Sequence, residues 1–310
     1  MAAGSTKAVV AAMIANAIIA VAKFTAAAVT GSSAMLSEGI HSVADTGNQA
    51  LLLLGNRRSH RPANSHHPFG YGPELYFWSL IVAMILFGLG GGFSMYEGIA
   101  HLRHPEPPQS PGWNYAVLAI AFLVEGAALR VALKQLGGKG SGKSLWQRVR
   151  DCKDPRVFVP VAEDISALAG VVVAFLGIWL AGALNAPVLD AAASIVIGFI
   201  LAAVAVFLGS ETRALLVGEA ISDRLNTRVQ EICLQDGAVD RVVRIMGVYL
   251  GPDDILLTLG LRFRPGDQVE DVAQAVERIE KKIRHVDPRV TRVFVEPEIA
   301  SDPGGLDTPF

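Results

Sequence analysis

The chain has 310 residues, of which 51% are hydrophobic and only 18% are charged. Soluble domains carry about 25% charged residues, so this composition, with a mean hydropathy of +0.40, predicts a membrane protein. The formal net charge of −2 excludes the strongly basic surface that recruits nucleic acid. The N-terminus has no basic stretch followed by a cleavage site, so we expect the first apolar segment to be retained as a helix.

Six apolar segments are long enough to cross the hydrocarbon core of a bilayer, which takes about 20 helical residues. They run near 8–30, 34–55, 75–101, 114–135, 158–183 and 187–209. The short link 184–186 predicts a tight helical hairpin between the last two. A large buried soluble helical domain is the alternative, but so many apolar runs of this length rarely occur in one.

Basic residues are concentrated in two of the predicted loops. The second loop holds Arg57, Arg58 and Arg61, and the fourth holds Lys134, Lys139, Lys143, Arg148, Arg150, Lys153 and Arg156. The first and fifth loops have no lysine or arginine, and the third has only Arg103. Because basic loops stay on the cytoplasmic side, we predict that both termini are cytoplasmic, with a bacterial inner membrane as the host.

The composition becomes that of a soluble domain after Leu216. Residues 217–298 predict the order helix, strand, strand, helix, strand, at 223–234, 239–249, 254–263, 269–284 and 290–295. A small sheet with helices on one side is typical of an α+β, ferredoxin-like domain. We therefore predict a membrane α-helical domain at 1–216 with six transmembrane helices, a cytoplasmic domain at 217–298, and a disordered polar tail at 299–310.

The second predicted span carries a polar stripe on one helix face, made of Glu38, His41, Asp45 and Asn48. Ionisable groups in hydrocarbon cost roughly 2.5–3.5 kcal/mol each, so a chain that keeps them is expected to use them. His41 and Asp45 are four residues apart, which places an imidazole and a carboxylate one turn apart. This predicts half of a divalent-metal site, and the alternative is hydrogen bonding between helices.

The fifth predicted span contains two adjacent carboxylates, Glu163 and Asp164. A cation or protons must compensate two anions placed in an apolar segment. Because adjacent helical residues diverge by about 100°, we predict Asp164 as a ligand and Glu163 as a fourth ligand or a residue facing another helix. The alternative is that both carboxylates are solvated at the aqueous mouth.

Several weaker candidates lie elsewhere. Asn16 in the first span and Glu38 in the second are further possible ligands, although a packing hydrogen bond explains Asn16 as well. Glu125 and Arg130 in the fourth span predict structural ion pairs rather than ligands. In the second loop, three histidines predict a loading site for cytosolic metal, or else they are merely solvated: His60, His66 and His67.

Together these segments resemble the cation diffusion facilitator family of divalent-metal transporters. The matching motifs are Ser37 to Asp45, with its His41 and Asp45, and the loop Pro62 to Gly72, which ends in His-Pro-Phe-Gly-Tyr-Gly. The resemblance covers about residues 8–297. It implies a homodimer that exports zinc or similar ions in exchange for protons, with a transport site between spans two and five. The ligands that it implies are His41, Asp45 and Asp164.

This chain departs from the family pattern in three places. Pro160 stands four residues before Asp164, where the family usually has histidine, so Glu163 or a water is expected to replace it. The Glu163-Asp164 pair is similar to the branch that includes animal mitochondrial-type zinc transporters. Asn64, His67 and Tyr71 stand where many members carry an acid and two histidines. Many members bind zinc through histidines in the cytoplasmic domain, but the domain 217–298 contains a single histidine, His285. We therefore predict no binuclear zinc cluster there and a role for the domain in dimerisation.

The function predicted from these features is proton-coupled antiport that exports a divalent metal from the cytoplasm by alternating access. The metal is the substrate, zinc first with manganese, iron or cobalt possible, and protons are the counter-ion, with no permanently bound cofactor. The expected partners are the lipid bilayer and a second copy of the chain, joined through the C-terminal domain, with no nucleic acid. A passive divalent-metal or proton channel is the alternative, and an enzyme is not expected.

Overall fold

The computed structural model describes residues 3–103, 112–137 and 142–298. The chain divides into two compact units, with the boundary between Ala214 and Leu215. The predicted disordered tail at 299–310 lies outside the described residues, as does most of the predicted third loop. Each unit is therefore taken by itself.

The described part of the first unit consists of helices and the loops that connect them. Its helices are α1 (Ala3–Thr30), α2 (Ser33–Ser59), α3 (Glu74–Ile85), α4 (Phe93–Arg103), α5 (Gly112–Leu136), α6 (Leu145–Asp151), α7 (Pro155–Ala183) and α8 (Val188–Val217). A π-helical segment, Leu86–Gly92, joins α3 to α4. Pro155 and Asp154 start α7, because proline suits the first helical turn and the Asp154 side chain accepts a hydrogen bond from the Arg156 backbone.

Five of the described helices are long and apolar enough to cross a membrane. They are Met13–Thr30, Glu74–Arg103, Gly112–Leu136, Pro155–Ala183 and Val188–Val217. The prediction of six spans included α2, which has 27 residues but is not among the five. The reason is its composition, because Glu38, His41, Asp45 and two arginines interrupt its apolar residues. The same polar residues that indicate a functional site therefore weaken the hydropathy signal of a span.

Helix α2 lies at the centre of the first unit. It contacts α1, α3, α4, the π-helical segment and α7. Its N-terminus is fixed by Asp190 at the start of α8, which accepts hydrogen bonds from Ser32 Oγ and the Ser33 backbone nitrogen, both at 2.8 Å. A carboxylate at a helix N-terminus is favourable because it complements the helix dipole. The polar stripe of α2 thus lies inside the bundle.

The long helix that contains the π-helical segment packs backbone against backbone on α8. A Cβ atom at Gly91 would lie 3.0 Å from the backbone nitrogen of Ala202, and one at Gly98 would lie 2.8 Å from the carbonyl oxygen of Ala191. Small residues allow such close approach between membrane helices. A π-turn inside a helix shifts the faces on either side of it, and here Gly91 in the π-helical segment is one of the close contacts with α8.

The second unit contains a three-stranded sheet and two helices. Its elements are α9 (Asp223–Leu234), β1 (Val239–Gly251), β2 (Asp254–Phe263), α10 (Val269–Val286) and β3 (Val290–Pro297). The strand order is β1-β2-β3, with β1 and β2 antiparallel and β2 and β3 parallel. In the register, Ile245 lies opposite Leu259, and Leu257 lies opposite Val293. The predicted order of helices and strands is confirmed.

The core of the second unit follows the predicted alternation in β2. Ile255, Leu257, Leu259 and Leu261 are all fully buried, as expected for a strand that presents every second side chain to one face. Helix α10 covers the core with the face that carries Ala275, Ile279 and Ile283. Its charged residues lie on the opposite face, which is typical of an amphipathic helix on a sheet.

Candidate metal centre

The His41 and Asp45 side chains form a buried pair at the middle of α2. His41 Nδ1 lies 3.4 Å from Asp45 Oδ1, and the two residues are 0% and 4% exposed. Their spacing of one helical turn places both side chains on the same face. The structure therefore brings together the two residues of the α2 motif, away from the ends of the helix.

Helix α7 reaches this face of α2 through Glu163. Asn48 Nδ2 donates a hydrogen bond of 2.7 Å to Glu163 Oε1, and Glu163 is only 3% exposed. Asp164 is half-buried, since it lies about 100° further round the helix. The geometry thus favours Glu163 over Asp164 as the α7 residue that faces α2.

Several buried polar atoms at this level of α2 have no hydrogen-bond partner among the described residues. They are His41 Nδ1 and Nε2, Asp45 Oδ1, Asn48 Oδ1 and Gln49 Oε1. Buried polar atoms are normally partnered, so such a concentration needs an explanation. Imidazole nitrogen and carboxylate oxygen are the ligands of borderline divalent cations such as zinc and manganese. The donor set therefore fits a divalent cation.

The described residues do not gather a complete ligand shell in this conformation. Within 3–103, 112–137 and 142–298, no three histidine, cysteine, aspartate or glutamate side chains converge on a point where they could hold one ion. His41 with Asp45 on α2, and Glu163 with Asp164 on α7, are thus two half-sites on facing helices. Their joint role as ligands stays a prediction.

Lys23 of α1 is a buried charged residue that the sequence analysis missed. Its Nζ donates hydrogen bonds to Glu38 Oε2 at 2.9 Å and to Ser42 Oγ at 2.8 Å. Lys23 and Glu38 are both 0% exposed. Glu38, a weaker candidate ligand, is therefore engaged in an ion pair. The signal was available, since a lysine in the middle of an apolar span is costly and implies a partner.

Glu125 and Arg130 on α5 differ from the prediction of structural ion pairs. Glu125 is 3% exposed, but it makes no ion pair with a described residue. Arg130 is exposed and has no ion-pair partner in the described part of the chain. Five positions on a helix turn two side chains about 140° apart, so Glu125 points inward while Arg130 points outward.

The second-loop histidines are exposed and their neighbours are used for structure. Asn64 Oδ1 accepts hydrogen bonds from the backbone nitrogens of His66 and His67, at 3.0 and 2.9 Å. The His67 ring stacks on Tyr71 with centroids 4.3 Å apart. These contacts organise a turn, and the metal-loading role of His66 and His67 stays a prediction. Asn16 is half-buried on α1, and its role also stays a prediction.

Comparison with known proteins gives the family. Residues 9–217 match the cation efflux transmembrane domain. The chain belongs to the cation efflux family. Members of this family are transporters rather than enzymes. It is the same family that the α2 motif and the loop 62–72 resemble. The family assignment predicted from the sequence is therefore confirmed.

Individual relatives cover most of this chain. The proton-coupled zinc antiporter SLC30A9, mitochondrial, of Xenopus laevis is 32% identical over 94% of this chain and 59% of the relative. The Homo sapiens protein of the same name is 34% identical over 80% of this chain and 44% of the relative. The manganese efflux system protein MneP of Bacillus subtilis is 25% identical over 92% of this chain and 96% of the relative. The chain thus spans about half the length of the zinc antiporters it matches.

Proposed function

We propose that this chain is a proton-coupled antiporter that exports a divalent metal from the cytoplasm, with zinc as the first substrate and manganese, iron or cobalt as others. The observation that carries the proposal is the buried His41–Asp45 pair, whose ligand atoms have no hydrogen-bond partner among the described residues. Membership of the cation efflux family supports metal transport. The names of the relatives include both zinc antiport and manganese efflux, which supports a divalent substrate.

The proposed ligands are His41 and Asp45 from α2 and the two carboxylates of α7, Glu163 and Asp164. The Asn48 hydrogen bond supports Glu163 as the carboxylate that faces α2. One nitrogen and two or three oxygens suit borderline to hard divalent ions. Closing the two half-sites on an ion requires a small approach of α2 and α7, since no described group of three candidate ligands is gathered in this conformation.

Proton coupling follows from the chemistry of these ligands. Metal binding needs a neutral imidazole and ionised carboxylates, so loading the ion releases protons. When the site faces a more acidic outside, protons compete for the same atoms and expel the metal. The protonated site then returns to the cytoplasmic side, and the cycle exchanges metal for protons by alternating access.

We propose that the membrane domain has six spans, namely the five helices that are recognisable as spans and, in addition, α2. Its 27 residues are enough to cross a bilayer, and its polar stripe is buried against neighbouring helices rather than exposed to lipid. Arg57 and Arg58 at its end support a cytoplasmic second loop. We further propose cytoplasmic termini, a bacterial inner membrane, and a homodimer joined through a ferredoxin-like cytoplasmic domain at 217–298.

Transport in sealed proteoliposomes tests the proposal. With the purified full chain and a pH-sensitive dye inside, an imposed zinc gradient should drive zinc movement together with an opposite proton flux. Asp45→Ala should abolish both fluxes. If the wild-type chain moves zinc without a proton counterflux, it is a passive channel. If the wild-type chain moves no metal at all, the proposal is contradicted.

A further inference from the structure

Lys23 is a buried cation that the transport cycle described above does not use. Its ammonium group is held on α2 by two hydrogen bonds, to Glu38 Oε2 at 2.9 Å and to Ser42 Oγ at 2.8 Å. Among the residues whose side chains are described, Lys23 is the only buried lysine or arginine. The buried acidic residues in the described part of the first unit are Glu38, Asp45, Glu125, Glu163 and Asp190.

The two contacts of Lys23 lie on one side of the α2 polar stripe. At about 100° per residue, Glu38 and Ser42 lie on one side of Asp45, whereas His41 and Asn48 lie on the other. The first side carries the contact with α1, through Lys23. The second carries the contact with α7, through Glu163. Lys23 thus holds one oxygen of the Glu38 carboxylate on the α1 side of the stripe.

The second oxygen of Glu38 lies against a glycine of α7. Glu38 Oε1 has no hydrogen-bond partner among the described residues, and a Cβ atom at Gly170 would collide with it. Glu38 is three positions before His41, and residues at that spacing are neighbours on a helix surface, with Cβ atoms about 5–6 Å apart. A carboxylate so placed has an oxygen to offer a cation held by His41, unless another group holds it back.

We propose that Lys23 is a positioning residue that sets the metal preference by holding Glu38 out of the ligand set. This inference rests on the proposed function, because it concerns the same site. Releasing Glu38 adds a hard oxygen ligand beside His41 and Asp45. More carboxylate oxygen favours manganese relative to zinc, so the Lys23–Glu38 ion pair keeps the site selective for the softer ion.

Metal binding to the purified full chain tests this role. Zinc and manganese affinities are measured by titration calorimetry for the wild type, Lys23→Met, Glu38→Gln and the double variant. Lys23→Met should raise the manganese-to-zinc affinity ratio by about tenfold, the size of effect that supporting residues have on metal sites. Glu38→Gln and the double variant should keep the wild-type ratio, since neither has a free carboxylate at position 38. Lys23→Arg keeps the ion pair and should also keep the ratio.

Two results would overturn the proposal. One is a wild-type ratio in folded Lys23→Met, and the other is the same shift in the double variant as in Lys23→Met. If Lys23→Met does not fold, Glu38→Gln decides alone, because loss of zinc binding as large as in Asp45→Ala would place Glu38 among the ligands. A wild-type chain that binds neither metal would instead reject the proposed function itself.

Discussion

Asn48 of α2 donates a hydrogen bond of 2.7 Å to Glu163 of α7, about one turn beyond Asp45. Asn48 is fully buried and Glu163 nearly so. This bond is the direct polar link between the two half-sites of the candidate metal centre. It orients a carboxylate of α7 towards the imidazole and carboxylate of α2.

Removing this link should weaken metal binding. Asn48→Ala leaves Glu163 without its donor, so we expect a loss of about tenfold in zinc affinity, as for other groups that orient metal ligands. Titration calorimetry on the purified chain measures it. The matched control is Asn114→Ala, which removes another fully buried asparagine, one that accepts a hydrogen bond from Thr30 but lies outside the proposed site. Equal losses in both variants would contradict the orienting role.

The two carboxylates of α7, Glu163 and Asp164, should differ in their contribution to zinc transport. Because Glu163 accepts a hydrogen bond from α2 and Asp164 lies about 100° further round α7 and is less buried, Glu163→Gln should reduce zinc transport more than Asp164→Asn. The measurement is the initial rate of zinc uptake into proteoliposomes at matched protein content. If Asp164→Asn had the larger effect, Asp164 would be the more important ligand, as the family resemblance implies. The preference for Glu163 that is derived from the structure would then be wrong.

Substitutions of Lys23 and Glu38 should have strongly coupled effects on the stability of the chain. Breaking a buried ion pair by removing one partner costs about 3–5 kcal/mol, because the remaining charge is left unpaired. Lys23→Met should therefore lower the thermal midpoint of the detergent-solubilised chain. Lys23→Met with Glu38→Gln should recover most of the loss, since no unpaired charge remains. A double variant no more stable than the single one would contradict this coupling.

Close packing of α4 on α8 gives a further test. A Cβ atom at Gly98 would lie 2.8 Å from the carbonyl oxygen of Ala191, so Gly98→Ala should destabilise the helical unit by about 1–3 kcal/mol, as overpacking does. Gly126→Ala is the matched control, because nothing lies within 4 Å of the added carbon there. In a helix interior that control change is favourable by about 0.5–1 kcal/mol. Thermal unfolding that ranks the two variants in the opposite order would contradict the packing.

The second unit should lose stability at acidic pH through one ion pair. Arg278 donates hydrogen bonds to both Asp236 oxygens, at 3.0 and 2.8 Å, and these bonds lower the pKa of Asp236. A carboxyl with a lowered pKa stabilises the fold above its unfolded pKa of about 3.9. That contribution disappears as the pH falls through the folded pKa. Asp236→Asn should therefore flatten the pH dependence of unfolding below about pH 4.

Cys233 reports the opening of the second unit. Its side chain is fully buried, and burial together with the Asp236 charge raises the pKa of the thiol to about 11. In a Cys152→Ser chain, labelling of Cys233 with 2,2′-dithiodipyridine, which reacts at acidic pH, follows the opening. Identical pH profiles for the wild-type residue and Asp236→Asn would show that the ion pair does not carry the effect.

Sequence patterns were sufficient for features that depend on neighbours along one element. The polar stripe of α2 and the alternation of β2 follow from the helical and strand periods alone. Features that depend on neighbouring helices were not accessible. Which of Glu163 and Asp164 faces α2 depends on how α7 is rotated, and the partner of Lys23 lies 15 residues away on another helix. The sequence predicts a span at 34–55, and α2 covers Ser33–Ser59. Its polar residues lower its hydropathy, so it is not among the five helices recognisable as spans.

The central claim is that the buried pair on α2 binds the transported ion, and zinc titration of Asp45→Ala against Asp190→Asn tests it most directly. Both changes remove a buried carboxylate of the helical unit, but Asp190 fixes the start of α2 through Ser32 and Ser33 and lies outside the proposed site. The account predicts that Asp45→Ala loses saturable zinc binding while Asp190→Asn retains it. Wild-type zinc affinity in folded Asp45→Ala would contradict the account.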